Sequence, residues 1–211
     1  MSKFICINLL DVLNDDDLGE DAVKEILSSF VCPHNADVER FIRSSAVPYA
    51  RQGIAATYIV MTTYEKKRVL IGYYTLASKT LSIHDDAISG GRWRQRIKKY
   101  AQYDPQTETY TMSTPLIGQL GKNYANGYDK LITGDELLEL AIRKVREIQH
   151  SIGGRLVYLE CEDNDKLIDF YEQNGFVDFG KRLLDRDETD AMKGEYLIQV
   201  VKYLSSKEGF R

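Results

Sequence analysis

Several protein classes are excluded by what this chain has little of. It carries three cysteines, Cys6, Cys32 and Cys161, an odd count with no C-x-x-C pair. That argues against a disulfide framework or a cysteine-built zinc site, and it points to a reducing, cytoplasmic compartment. Its three histidines, His34, His84 and His150, have no metal-ligand spacing, so no metal is expected. No apolar run approaches the roughly 18–20 residues that a membrane span needs. The opening Met1-Ser2-Lys3-Phe4-Ile5-Cys6 has no basic start followed by a long apolar region, so no signal peptide is expected. There is also no excess of positive charge. The formal net charge is -4, and binding to nucleic acid would need a local basic patch. Repeats, low-complexity tracts and linkers are lacking too, which favours one domain over residues 1–211.

Across its 211 residues the chain is 43% hydrophobic and 28% charged, ordinary for a globular protein with a full core. An acidic cluster near residue 15 leads into a helix whose apolar face is Val23, Ile26, Leu27 and Phe30. The turn Cys32-Pro33-His34-Asn35 precedes a second helix from about Asp37, with Val38, Phe41, Ile42 and Ala46 at helical spacing. Pro48 is expected to break or end it. Ala56–Tyr64 and Val69–Ala77 are rich in β-branched and aromatic residues. The charged Glu65-Lys66-Lys67-Arg68 between them makes a hairpin the natural reading. Further strands are expected at Thr109–Leu120, Leu156–Cys161 and Tyr196–Leu204. A helix from Gly134 to about His150 carries the stripe Leu137, Leu138, Ala141, Val145 and Ile148, so Thr109–Cys161 reads as a strand–helix–strand crossover.

Residues 81–108 fit this alternation least. Within them, Trp93, Ile97 and Tyr100 share one helical face, and Arg92, Arg94, Arg96, Lys98 and Lys99 occupy the rest. Two readings are open. The segment is a helix docked by its aromatic edge with a solvated basic face, or it is a contact surface for RNA or coenzyme phosphates.

The most informative stretch is Asn164-Asp165-Lys166-Leu167-Ile168-Asp169-Phe170-Tyr171-Glu172-Gln173-Asn174-Gly175-Phe176. Asn164 suits an N-cap. Leu167, Phe170 and Tyr171 share a face at i, i+3, i+4. Gly175 can take the left-handed conformation that ends a helix. Tyr171 is then aimed into the fold, either as core filler or with its hydroxyl available as a proton donor. A second informative segment runs from the strand end Ile117-Gly118-Gln119-Leu120-Gly121-Lys122 to Thr133-Gly134-Asp135-Glu136. A helix start offers unpaired N–H groups and partial positive charge, and so attracts anions. The same residues also fit a capping box, Thr133 at the N-cap and Glu136 three residues on.

The first stretch resembles the N-x-x-A-x-x-F-Y-x-x-x-G-F signature of the GCN5-related N-acetyltransferases (GNAT superfamily). Asn164, Phe170, Tyr171, Gly175 and Phe176 match, and Leu167 stands in place of the usual alanine. Ile71-Gly72-Tyr73-Tyr74-Thr75-Leu76-Ala77 is similar to the third strand of the superfamily's toxin branch. The resemblance implies a mixed α/β fold: a twisted sheet of six or seven strands, with helices on both faces and an insertion at 81–108. It implies transfer of an acetyl group from acetyl-CoA, as co-substrate, to an amine. Leu120, Gly121 and Lys122 would hold the pantetheine arm. Lys130, Leu131, Ile132, Thr133 and Gly134 would hold the diphosphate, and Asn164 would touch the coenzyme. Tyr171 would protonate the departing sulfur, and Glu160 is the candidate to take the amine's proton, unless it is only solvated or salt-bridged. The family's Q/R-x-x-G-x-G/A phosphate loop is not matched in order; Gly134 fits its last glycine. Three readings follow: an N-acetyltransferase for an unidentified amine, a toxin-like enzyme acting on aminoacyl-tRNA with tRNA contacted through Arg92–Lys99, or a catalytically silent module that kept the fold.

Overall fold

The computed structural model describes residues 3–15, 19–184 and 195–205. Asp16 and Asp17, part of the acidic cluster noted above, lie outside them. In chain order the elements are β1 (Ile5–Asn8), α1 (Leu9–Leu13), α2 (Glu20–Ser28), α3 (Ala36–Arg40), α4 (Ala46–Gln52), β2 (Ala56–Tyr64), β3 (Lys67–His84), α5 (Gly91–Ile97), β4 (Gln102–Asp104), β5 (Thr109–Lys122), α6 (Gly134–Ile152), β6 (Leu156–Cys161), α7 (Asp165–Gln173), β7 (Val177–Leu183) and β8 (Tyr196–Tyr203). There are thus eight strands among the described residues, against the six or seven expected. The fold class is the expected mixed α/β sheet.

The chain divides into two compact units. The first is Met1–Ala77 with Ile117–Lys144, and the second is Ser78–Leu116 with Val145–Arg211. Long elements (β3, β5 and α6) therefore contribute residues to both.

In the first unit the strands run β1-β2-β3-β5. Strands β2 and β3 form the expected hairpin, with Tyr58 opposite Tyr74, Ile59 opposite Tyr73, and a bulge at Val60/Met61. Glu65 and Lys66 close it with positive φ at both turn positions, the conformation of a tight two-residue turn. Leu9, Val23, Leu27, Phe30, Ile42, Ala46, Ile59 and Tyr73 are buried together as one core. Pro48 does not end its helix. The backbone opens into a π turn over Phe41–Ser45, and α4 starts afresh at Ala46, so the proline falls in a first turn where its missing N–H does no harm.

In the second unit the strands run β3-β5-β6-β8-β7, with β4 beside β5. Strand β6 is parallel to β5 at Leu116 and Tyr158, and antiparallel to β8 along its length. It is apolar and buried as expected of a central strand. Leu81, Ile83, Ile88, Ile97, Met112, Leu156, Phe179 and Val201 form this unit's core. Helix α5 docks through Ile97, which is fully buried, and Trp93, which meets Phe179 edge-on at 5.1 Å.

Candidate functional site

The segment from β5 to α6 lies in the first unit and holds most of the sequence-derived site. One glycine lets β3 and β5 come close, and a second lets α3 pack onto β5. A Cβ on Gly72 would stand 2.9 Å from the Gly121 carbonyl oxygen and 3.3 Å from Leu137 of α6. A Cβ on Gly121 would stand 2.4 Å from Val38. Leu120 and Lys122 are half-buried beside it. Beyond the strand, buried Asn123 anchors the loop. Its amide oxygen accepts from the N–H groups of Val31 and Ala125, both at 3.0 Å, and its NH2 donates to Leu70 at 2.8 Å. The loop then passes through left-handed Asn126 and Gly127, and Lys122 donates from Nζ to the Asp129 carbonyl at 3.1 Å. Lys130 is exposed, Leu131 half-buried and Ile132 buried.

At the mouth of α6 the capping box forms in full. The Glu136 N–H donates to Thr133 Oγ1 at 3.1 Å, and the Thr133 N–H donates to Glu136 Oε2 at 2.8 Å. Lys3 approaches the same carboxylate at 3.5 Å. The hydrogen bond from the Thr133 amide, with Lys3 adding to it, lowers the Glu136 carboxyl below its ordinary range. Two of the amides that would face a diphosphate thus already have an internal partner.

Gln119, on β5, donates to Asp37 Oδ2 at 2.9 Å, and Arg40 holds the other oxygen of Asp37 at 2.6 Å. Buried Tyr73 donates to the Val38 carbonyl at 2.6 Å, and its oxygen lies 3.5 Å from Gln119. Asp37 was not among the sequence candidates. A lone aspartate in a helix's first turn looks like ordinary capping, and only the fold places it at a strand's amide.

The second unit holds Glu160, Asn164 and Tyr171. Asn164 caps α7, its side chain accepting from Lys166 N–H at 3.0 Å, and it is exposed. Gly175, at φ +78°, ends the helix. Tyr171 is buried, and its ring meets Phe170 and Phe176 edge-on at 5.1 and 5.8 Å. Its hydroxyl has no hydrogen-bond partner among the described residues. Burial pushes the phenol well above its ordinary pKa, with Cys161 adding to the shift, so the proton is held at neutral pH. Burial likewise pushes the Cys161 thiol up to about 11, which leaves little nucleophilic thiolate. Glu160 is gripped by Arg182 in a fork, at 2.9 and 2.7 Å, and by Gln199 Nε2 at 2.9 Å.

Two of the five α5-region cations are engaged within the protein. Arg94 is paired with Asp85, and Arg96 lies over the Tyr203 ring at 4.2 Å. Arg92, Lys98 and Lys99 are exposed. Among the described residues no group of metal ligands forms, and no helix is long and apolar enough to cross a membrane.

No family model and no curated protein matches the sequence. Solved structures do match in shape. One is the toxin AtaT, as a tyrosine-to-phenylalanine mutant bound to the C-terminus of the antitoxin AtaR and acetyl-CoA. It is 17% identical over 98% of this chain and 97% of that one, with a TM-score of 0.59. AtaT complexed with acetyl-methionyl-tRNAfMet matches at 17% identity over 97% and 96%, also at 0.59. A structure described as a bacterial toxin matches at 16% over 100% and 98%, at 0.61. Likeness at these identities concerns architecture, and what it establishes is that this chain has the fold of the GCN5-related N-acetyltransferases.

Proposed function

We propose that this protein is a cytoplasmic N-acetyltransferase that moves the acetyl group of acetyl-CoA to a primary amine. The observation that carries the reading is Tyr171, a buried and protonated phenol without a described partner, on the helix after the central strand. Acetyl-CoA supplies the activated acyl group as a thioester. The strand-end backbone of Leu120, Gly121 and Lys122 offers N–H and C=O groups to the pantetheine amides. Lys130, the backbone of Leu131 and Ile132, the Thr133 hydroxyl hydrogen (its N–H being held by Glu136) and the Gly134 amide receive the diphosphate, and Asn164 contacts the coenzyme with the amide hydrogens left over from its capping bond. This donor set fits an anion, and Glu136 opposes it.

The amine nitrogen forms a bond to the thioester carbon as the carbon–sulfur bond breaks. Tyr171 gives its proton to the departing sulfur and regains one from solvent, which also takes the proton that the amine loses. A phenol raised by burial gives up that proton reluctantly, so the positive charge of the attacking amine must lower its pKa during the reaction. Glu160, held by the Arg182 fork and by Gln199, has an orienting role at β6. Cys6, Cys32 and Cys161 form no disulfide, in keeping with a cytoplasmic setting.

Calorimetry with acetyl-CoA tests the first half; silence at millimolar ligand would leave only the silent-module reading. Tyr171→Phe tests the second. It should bind acetyl-CoA as the parent does and transfer acetyl on the order of 10²-fold more slowly or worse. Equal rates would remove the phenol from the mechanism.

A second reading makes the amine that of an aminoacyl-tRNA. It is favoured by the likeness to AtaT, solved with acetyl-methionyl-tRNAfMet, and by exposed Arg92, Lys98 and Lys99. Acetyl incorporation into charged tRNA, compared with free amino acids and polyamines, separates this reading from the first.

A further inference from the structure

The second unit contains a cavity of about 480 Å³, lined by Asp85, Arg94, Lys98, Ala101, Tyr103 and Tyr110. All six residues belong to the β3–α5–β4–β5 segment, and none of them is among the residues assigned above to acetyl-CoA. Its chemistry is specific. Tyr103 and Tyr110 are cross-strand partners of β4 and β5, with ring centroids 4.7 Å apart and planes tilted by 39°. Tyr110 is buried, while Tyr103 is 46% exposed. A cross-strand pair alone would stabilise the hairpin, yet one of its rings keeps nearly half its surface open beside a cavity. Asp85 is taken by Arg94, which donates both to its carboxylate and, at 3.2 Å, to its carbonyl. The guanidinium is thereby fixed, and the wall's single carboxylate is neutralised. Lys98 has no ion-pair partner among the described residues. Asp104, on the same hairpin, holds the Gln106 N–H at 2.8 Å and turns its charge into its own turn.

We infer that this cavity is a subsite for one unstacked nucleotide of single-stranded RNA, its base laid on the Tyr103 ring and its phosphate on Lys98. Open aromatic faces accept any base, and one cation per phosphate gives the salt dependence typical of such sites. The subsite rests on the RNA-directed reading of the enzyme and narrows it. The minor groove and phosphates of a duplex are not what it reads; an unpaired segment of the acceptor is.

The probe is a fluorescent mixed-sequence hexaribonucleotide, followed by anisotropy over a range of salt, with the same sequence as a duplex for comparison. Tyr103→Ala should weaken single-strand binding about 10-fold, while Tyr103→Phe should leave it unchanged. Lys98→Ala should lower the log–log salt slope by about 0.7. Both side chains are exposed, and matching thermal melts confirm that the fold is intact. Undetectable binding by the parent protein would overturn the inference. So would duplex binding as tight as single-strand binding, a Tyr103→Ala protein that binds like the parent, or displacement of the oligonucleotide by acetyl-CoA. Acetyl-CoA titrated into the same samples keeps the two readings apart. If it fails to bind while Tyr103 and Lys98 govern oligonucleotide affinity, the transferase reading falls and the subsite stands.

Discussion

At the scale of single residues, the contested atom group is the Glu136 carboxylate. It completes the capping box of α6 and puts a negative charge where a diphosphate is proposed to rest. Glu136→Gln keeps an oxygen to accept from the Thr133 amide and removes the charge. It should tighten acetyl-CoA binding several-fold by calorimetry; weaker binding would mean that the diphosphate rests elsewhere. The same variant has a pH signature. The folded carboxyl titrates below the unfolded one, so its contribution is present above the unfolded pKa of about 4.3 and is lost as pH falls through the folded value. Urea midpoints between neutral and acid pH should therefore fall less steeply for Glu136→Gln than for the parent. Capping by Thr133, Glu136 and Asn164 was legible in sequence, because those signals are local. The Arg182–Gln199 grip on Glu160 was not. It joins residues on three strands, and only the register of β6, β7 and β8 brings them together.

At the scale of elements, the best-read segments were β2, β6 and α6, whose start at Gly134 matched, since α6 carries a strong helical period and the two strands are short runs rich in β-branched and aromatic residues. The α3–α4 region misled because a proline was weighed without the π turn that precedes it. Strands β1, β4 and β7 were not named from the sequence: the first two are four and three residues long, too short for a period to emerge, and β7 carries the charged Asp178, Lys181 and Arg182. The Gly72–Gly121 approach was visible only as two glycines in strands. Its consequence can be measured. Gly121→Ala would push a methyl into Val38, with Phe30 and Tyr73 each 3.4 Å away on the same side. Overpacking of this kind typically destabilises by about 1–3 kcal/mol. A lowered urea midpoint with an unchanged slope would report it, and a neutral substitution would show that Val38 can move aside without loss.

At the scale of the whole molecule, the buried acids are nearly all neutral ones. Tyr73, Tyr158 and Tyr171 are raised by burial first, and Cys161 is pushed up to about 11. Each favours the folded state while protonated. Their contribution is complete below the unfolded values, about 8.5 for a thiol and about 10 for a phenol, and is lost as pH rises through the folded ones. Stability should hold at neutral pH and decline from about pH 8.5 upward, and less steeply once Tyr158→Phe removes one of the buried phenols. An equally steep decline in that variant would contradict this. Fold class was legible at this scale because strand and helix periods alternate along the chain. The division into two units was not, since neither is continuous in sequence. That discontinuity bears on biosynthesis. The first unit has Met1–Ala77 in hand early, but its closing strand and helix leave the ribosome only after Ser78–Leu116 has been made. At ordinary elongation rates the wait is about 2–8 s. During that interval the nascent hairpin of β2 and β3 has one unpaired edge, and a holding chaperone at the exit tunnel would find its binding site there.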